Sequence, residues 1–175
     1  GGGLPCGAIG GTHEVMSAIS DGRYDQVGTF NGNPMTMAAA RAMLTEVLTD
    51  EAYGQAAARS QAMFDRSIDI LNQHGVPAYG YAFGFKGSLV FHETPARNCR
   101  EFLAMDTGLS HLHFLVQHNG GVFMAPWGKS EQWTISPMHT DLDVDRFCDN
   151  VGRFASLVRS SADGHSHEYT AGGYA

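Results

Sequence analysis

Lysine is nearly missing from this chain: Lys86 and Lys129 are the only two in 175 residues. Arginine does not make up the difference, and 11 Lys+Arg against 18 Asp+Glu give a formal net charge of −7. The basic face of a nucleic-acid module is therefore absent. No apolar stretch reaches the ~20 residues that a bilayer span needs. Cysteine is sparse as well. Cys6, Cys99 and Cys148 are odd in number, far apart and form no CxxC. That pattern argues against a disulfide framework or a zinc site and fits a reducing compartment, so a cytoplasmic location is expected. The opening Gly1-Gly2-Gly3 carries neither a methionine nor a signal peptide. Either a processed N-terminus or the back part of a longer protein is expected. What is present is apolar content of 43%, enough for the core of one domain or of a piece of a larger one.

Several catalytic signatures are also lacking. The glycine run Gly1 to Gly11 (GGGLPCGAIGG) has no GK[ST], and Cys6 stands where the third glycine of GxGxxG belongs, so it is a poor nucleotide loop. No HExxH occurs. His111 and His113 are two apart, which on a helix turns them to different faces. His165 and His167 fall in a polar tail. A metal site is not expected, nor is a Ser/His/Asp triad without a GxSxG elbow. Cys99 and Cys148 read as small buried hydrophobes.

Along the chain, Thr12 is placed to cap a short helix through Ile19 that Asp21-Gly22 ends. Asn33 and Pro34 form a natural N-cap and first turn. The Met- and Ala-rich run from Pro34 to Leu48 then reads as a buried helix. Asp50 is expected to cap a second helix that carries Tyr53, Ala56, Ala57, Met63, Phe64, Ile68 and Leu71 at spacings of mainly three and four and ends at Gly75. Beyond Val76 the period changes. Residues 78–83 and 88–92 predict two strands around Gly84 to Gly87, and 122–125 and 132–136 predict two more short ones. Glu93 to Asp106 is ambiguous, and 108–119 predicts a helix. Thr140 and Asp143 suggest a capping box for a last helix. Its apolar stripe is Val144, Phe147, Val151, Phe154 and then Leu157 or Val158. Residues 161–175 are expected to be disordered. The later two-thirds thus reads as helices packed on a small sheet.

One loop carries chemistry. Gly28-Thr29-Phe30-Asn31-Gly32-Asn33-Pro34 offers a threonine hydroxyl and free backbone N–H groups in a tight turn, a combination able to hold a phosphate oxygen. An ordinary helix-entry loop accounts for the same residues.

Three segments in order bear on that choice: GGGLPCGAIGG (1–11), GTFNGNPMTM (28–37) and SPMHTDLDVDRF (136–147). Together they resemble the class III aminotransferases, fold-type I enzymes that use pyridoxal 5′-phosphate (PLP). The glutamate-1-semialdehyde 2,1-aminomutase-like branch is the most similar. GVFMAPWGKSEQWT (121–134) also resembles the late substrate-side strand and loop of such enzymes.

The resemblance implies the C-terminal portion of the α/β fold of type I PLP-dependent transferases. Residues 1–35 end the large PLP-binding domain, 36–49 form a connecting helix, 50–160 form a small α+β domain, and 161–175 form a tail. It further implies that Thr29, with Gly28 as its backbone neighbour, bonds the PLP phosphate of the partner subunit in a homodimer. The family's Schiff-base lysine, the aspartate facing the pyridine nitrogen and the ring-stacking aromatic would all precede Gly1. No catalytic residue is then expected within the chain. The implied activity is that of an aminotransferase or aminomutase on amino or keto acids, with neither nucleic acid nor membrane as partner. Many class III transaminases hold the substrate carboxylate with an arginine near the late strand. Residues 132–136 have none, and Arg146 and Arg153 read as solvated. A non-catalytic interaction or dimerisation domain is the alternative.

Overall fold

The computed structural model describes residues 2–125 and 128–162. The chain divides into two units, Gly1–Ala52 and Tyr53–Ala175.

The first unit holds two helices. α1 (His13–Ser20) begins where Thr12 Oγ1 accepts the Val15 N–H at 3.4 Å. α2 (Pro34–Ala42) begins at Asn33, whose Oδ1 accepts from the N–H groups of Met35 (3.0 Å) and Thr36 (3.2 Å). α2 runs on into a wider π-type turn over Met43–Val47. The expected burial of this helix is not observed: no residue of α1, α2 or the π turn is buried. Met35 is 70% exposed. Met and Ala there supply helix propensity, and Ala39, Ala40 and Met43 are no more than partly covered.

The second unit is built on α3 (Asp50–Gln73), a 24-residue helix that starts just inside the first unit. Its cap is Thr49, not Asp50: Thr49 Oγ1 accepts the Ala52 N–H at 3.2 Å, which puts Asp50 inside the first turn. There its carboxylate favours the positive end of the helix dipole. The buried positions are Ala56, Ser60, Met63, Ser67 and Leu71, a stripe stepping by four and three. Tyr53 lies at its exposed edge.

A hairpin follows. β1 (Tyr79–Phe83) and β2 (Lys86–Val90) pair antiparallel, with Phe83 opposite Lys86. The turn between them is only Gly84-Phe85, and Gly84 takes φ +56°, open to glycine at no steric cost. β2 therefore starts at Lys86, two residues before the expected Ser88. β3 (Glu131–Thr134) pairs with the other side of β2, giving the order β1-β2-β3. The strand expected over 122–125 is not formed; those residues are irregular. Pro126 next to them has no N–H to donate to a ladder. α4 (Cys99–Ala104) and α5 (Gly108–Asn119) lie between β2 and β3. Cys99 is exposed, contrary to expectation, because it opens α4 on the solvent side; Cys148 is buried.

α6 (Asp141–Ala162) closes the unit. Asp143 Oδ2 accepts from both the N–H (2.7 Å) and the Oγ1–H (2.9 Å) of Thr140. Val144, Phe147, Cys148, Val151, Phe154 and Ala155 are buried against Leu71, Leu89, Phe91 and Ile135. One turn later Val158 packs on this core, while Leu157 is half exposed. Arg59–Asp141 (2.9 Å) and Arg66–Asp145 (2.7 Å) tie α3 to α6 outside the core. The Asp145 bond raises the Arg66 pKa further. α6 also includes Ser161 and Ala162, the first residues of the expected tail; residues 163–175, with His165 and His167, lie outside the described residues. No helix among the described residues is long and apolar enough to cross a membrane.

Candidate functional site

In the first unit, the loop that precedes α2 is wound by its own hydrogen bonds. Asn31 N–H donates to Gly28 O (3.0 Å), and Asn33 N–H donates to Phe30 O (3.1 Å). Gly32 sits at φ +68°. A Cβ on Gly28 would stand 2.6 Å from Asn31 Oδ1, so a glycine at 28 is what lets the Asn31 side chain fold back. Asn33 spends its side chain on capping α2. Thr29 is exposed, and its hydroxyl has no hydrogen-bond partner among the described residues. The turn thus engages the Asn31 and Asn33 side chains and leaves the Thr29 hydroxyl free. That donor set suits a phosphate oxygen, and Gly28 and Thr29 are adjacent at its start.

The two lysines lie in the second unit. Lys86 is the exposed first residue of β2 rather than a turn residue. Lys129 is half-buried, and its Nζ donates to Met105 O. Among the described residues no three His, Cys, Asp or Glu are grouped to hold a metal.

Three buried polar residues, His113, Gln117 and Asn150, join α5 to α6, a grouping that the sequence does not mark. Gln117 Nε2 donates to His113 Nε2 (3.1 Å) and to Phe147 O (3.1 Å), while Gln117 Oε1 accepts from Asn150 Nδ2 (3.1 Å). His113 is fully buried among Phe91, Phe147 and Phe154, with ring centroids 5.1–5.8 Å away. Accepting from Gln117 fixes its neutral tautomer with the proton on Nδ1. Nδ1 has no partner. Burial lowers its pKa from 6.5 to about 3. The separation of His111 and His113 expected from their spacing holds: His111 is exposed. Asn150 fits because residue 120 is glycine, where a Cβ would meet its side-chain amide at 2.1 Å.

Residues 1–149 match the family model described as Aminotransferase class-III. The chain is 31% identical over 162 residues to the glutamate-1-semialdehyde 2,1-aminomutase of Desulfotalea psychrophila, covering 92% of this chain and 37% of that protein. Its structure is similar to that of a beta-phenylalanine aminotransferase from Variovorax paradoxus, at 31% identity and a TM-score of 0.73, over 87% of this chain and 35% of the other. An omega-transaminase from Sphaerobacter thermophilus aligns at 26% identity and a TM-score of 0.72, over 91% of this chain and 37% of the other. The chain therefore spans little more than a third of the length of these relatives.

Proposed function

This chain belongs to the class III aminotransferases, and from that premise we propose that it is the C-terminal part of a PLP-dependent aminotransferase or aminomutase acting on amino or keto acids. The glutamate-1-semialdehyde aminomutase-like branch is the one its motifs favour. The observation that carries the reading is the loop at Gly28-Thr29, wound tightly and left with an unspent hydroxyl. Thr29 holds the PLP phosphate, and it serves the partner subunit's site in a homodimer. When bound, PLP supplies the electron sink for a carbanion next to the substrate nitrogen. This chain's own share is to bind and orient that group by its phosphate. The division at residues 35 and 50 belongs to the same proposal. Its support is the first unit, where no described residue is buried, as suits a segment that packs on a larger domain.

Two outcomes test the reading. In the full-length protein Thr29→Ala should weaken PLP retention about ten- to a hundredfold, the equivalent of one lost charge-assisted hydrogen bond. An absorbance titration measures it, and unchanged affinity removes Thr29 from the site. The 175 residues alone should show no turnover. A catalytic lysine needs a lowered pKa and a fixed place beside the reacting carbon. Lys86 is exposed on a strand and Lys129 is bound to a carbonyl. Borohydride reduction with PLP, followed by peptide mapping, should give scattered labelling without activity. Stoichiometric labelling of one lysine together with turnover would overturn this.

A further inference from the structure

Asn31 keeps its side chain out of the hydrogen bonds that asparagines in turns ordinarily make with nearby backbone. Asn33, two residues on, caps α2, and Asn98 caps α4 by accepting the Glu101 N–H at 3.0 Å. Asn31 does neither. Its amide lies over Gly28, where a Cβ would stand 2.6 Å from Oδ1 and 3.1 Å from Nδ2. That is contact without a hydrogen bond: Asn31 is exposed, and its side chain bonds to none of the described residues. The oxygen is the nearer of the two to Gly28, and both N–H bonds of the amino group are left unpaired.

This placement brings the amide to the end of the turn where Thr29 stands. Gly28 is the chain neighbour of Thr29, and the bond from Asn31 N–H to Gly28 O (3.0 Å) closes the turn over residues 28–31. Such a turn brings its first and last Cα within about 7 Å. The Asn31 side chain is then folded back across the turn onto Gly28. The N–H groups of Thr29 and Phe30 also donate to none of the described residues. From Gln26 to Met37 the sequence has no Asp, Glu, Lys or Arg. The loop therefore offers neutral donors, with no charge of either sign among them.

We propose that Asn31 is a second phosphate-binding residue, its Nδ2 donating to one oxygen of the group whose other oxygen is held by Thr29. The proposal rests on the assignment of Thr29 to the PLP phosphate. One hydrogen bond locates a phosphate; a second, to a different oxygen, fixes its rotation and so the direction in which the rest of the molecule extends. A phosphate dianion accepts such bonds strongly, and a carboxamide supplies the donor without a charge of its own to desolvate. Any side chain at residue 28 would displace the amide, so the glycine there serves the phosphate by leaving room for Asn31.

The test uses the full-length protein and two ligands, PLP and pyridoxal, which lacks the phosphate. Absorbance titration reads the affinity of each. Asn31→Ala should weaken PLP about tenfold, as the loss of one charge-assisted hydrogen bond does. Asn31→Asp keeps the shape but exchanges the donor for an anion, and should weaken PLP about a hundredfold. Pyridoxal should bind wild type and both variants alike. Asn31 is exposed, so both variants should fold; circular dichroism verifies it. Thr29→Ala, titrated alongside, separates the two assignments. If it weakens PLP while both Asn31 variants hold it as well as wild type, Thr29 stays in the site and Asn31 is removed. If none of the three variants loses PLP, both assignments fall. Asn31→Asp binding PLP like wild type while Asn31→Ala does not would make residue 31 a spacer and overturn the proposal. An equal loss of pyridoxal and PLP would overturn it too, since the defect would then lie in the fold of the loop.

Discussion

Phe154→Ala should lower the unfolding free energy of the second unit by about 3–5 kcal/mol, the usual cost of emptying a buried phenylalanine site. Phe154 is fully buried and lies at the junction of three elements. It meets Phe91, just beyond β2, with ring centroids 5.0 Å apart, and His113 of α5 at 5.2 Å with the rings almost perpendicular. Edge-to-face contacts of this kind add to the burial itself. The surroundings cannot collapse easily, because Leu71, Leu89 and Val151 are also fully buried and each is held by a different element. A loss of that size is a large part of the stability of an ordinary domain. Urea unfolding of the full chain measures it, with Leu157→Ala as the comparison. Leu157 is half exposed on the same helix and should cost less than about 1 kcal/mol. Equal losses at 154 and 157 would mean that α6 is rotated from the face described.

That pair of residues also shows where the sequence was legible and where it was not. The period of α6 is clean, so its inner face could be read up to Phe154, yet Leu157 and Val158 are equally apolar and adjacent. Only packing against the core chooses Val158. The hairpin was legible from its glycines, but its register was not. A two-residue turn at Gly84-Phe85 draws Lys86 into β2, and no local pattern distinguishes that from a longer loop. Residues 122–125 are apolar and bounded like a strand but find no partner edge, which is a tertiary fact. The helix from Pro34 to Leu48 shows the opposite limit. Its N-cap is written locally and is present, whereas burial is set by packing, and no residue of the helix is buried. The loop at Gly28-Thr29 was found because turn chemistry is local. Ser60, Ser67, Gln117 and Asn150 were not, because a polar residue on an inner face looks like an interruption of the stripe. Each becomes intelligible only with its partner in view: Ser67 Oγ returns to Met63 O at 2.7 Å within its own helix, while Gln117 and Asn150 find each other across two helices.

The last expectation concerns acid. The chain should lose stability steadily as pH falls below about 6.5, through His113. In the unfolded chain this histidine titrates at its ordinary value, near 6.5. In the folded chain burial holds its pKa at about 3. The unfolded state therefore binds a proton that the native state refuses, and stability present above pH 6.5 is lost at up to ~1.4 kcal/mol per pH unit as pH falls toward 3. At pH 5 the loss from this one group is roughly 2 kcal/mol. Geometry says why the native state refuses the proton. Nε2 already accepts from Gln117, whose amide is tied to Phe147 O and Asn150. A proton on Nε2 would set two donors against each other. Turning the amide to relieve this would break the bond to Asn150, and the three rings packed on the imidazole, those of Phe91, Phe147 and Phe154, carry no charge. His113→Gln offers an oxygen to the same amide and does not titrate, so it separates this effect from the carboxylates that lose their charge at lower pH. Urea unfolding at pH 7.5, 6 and 5 should give wild-type losses that the variant does not share. Parallel pH profiles for the two proteins would show that His113 takes up its proton in the folded state, and the closed chain from His113 to Asn150 would then be the wrong description of the contact between α5 and α6.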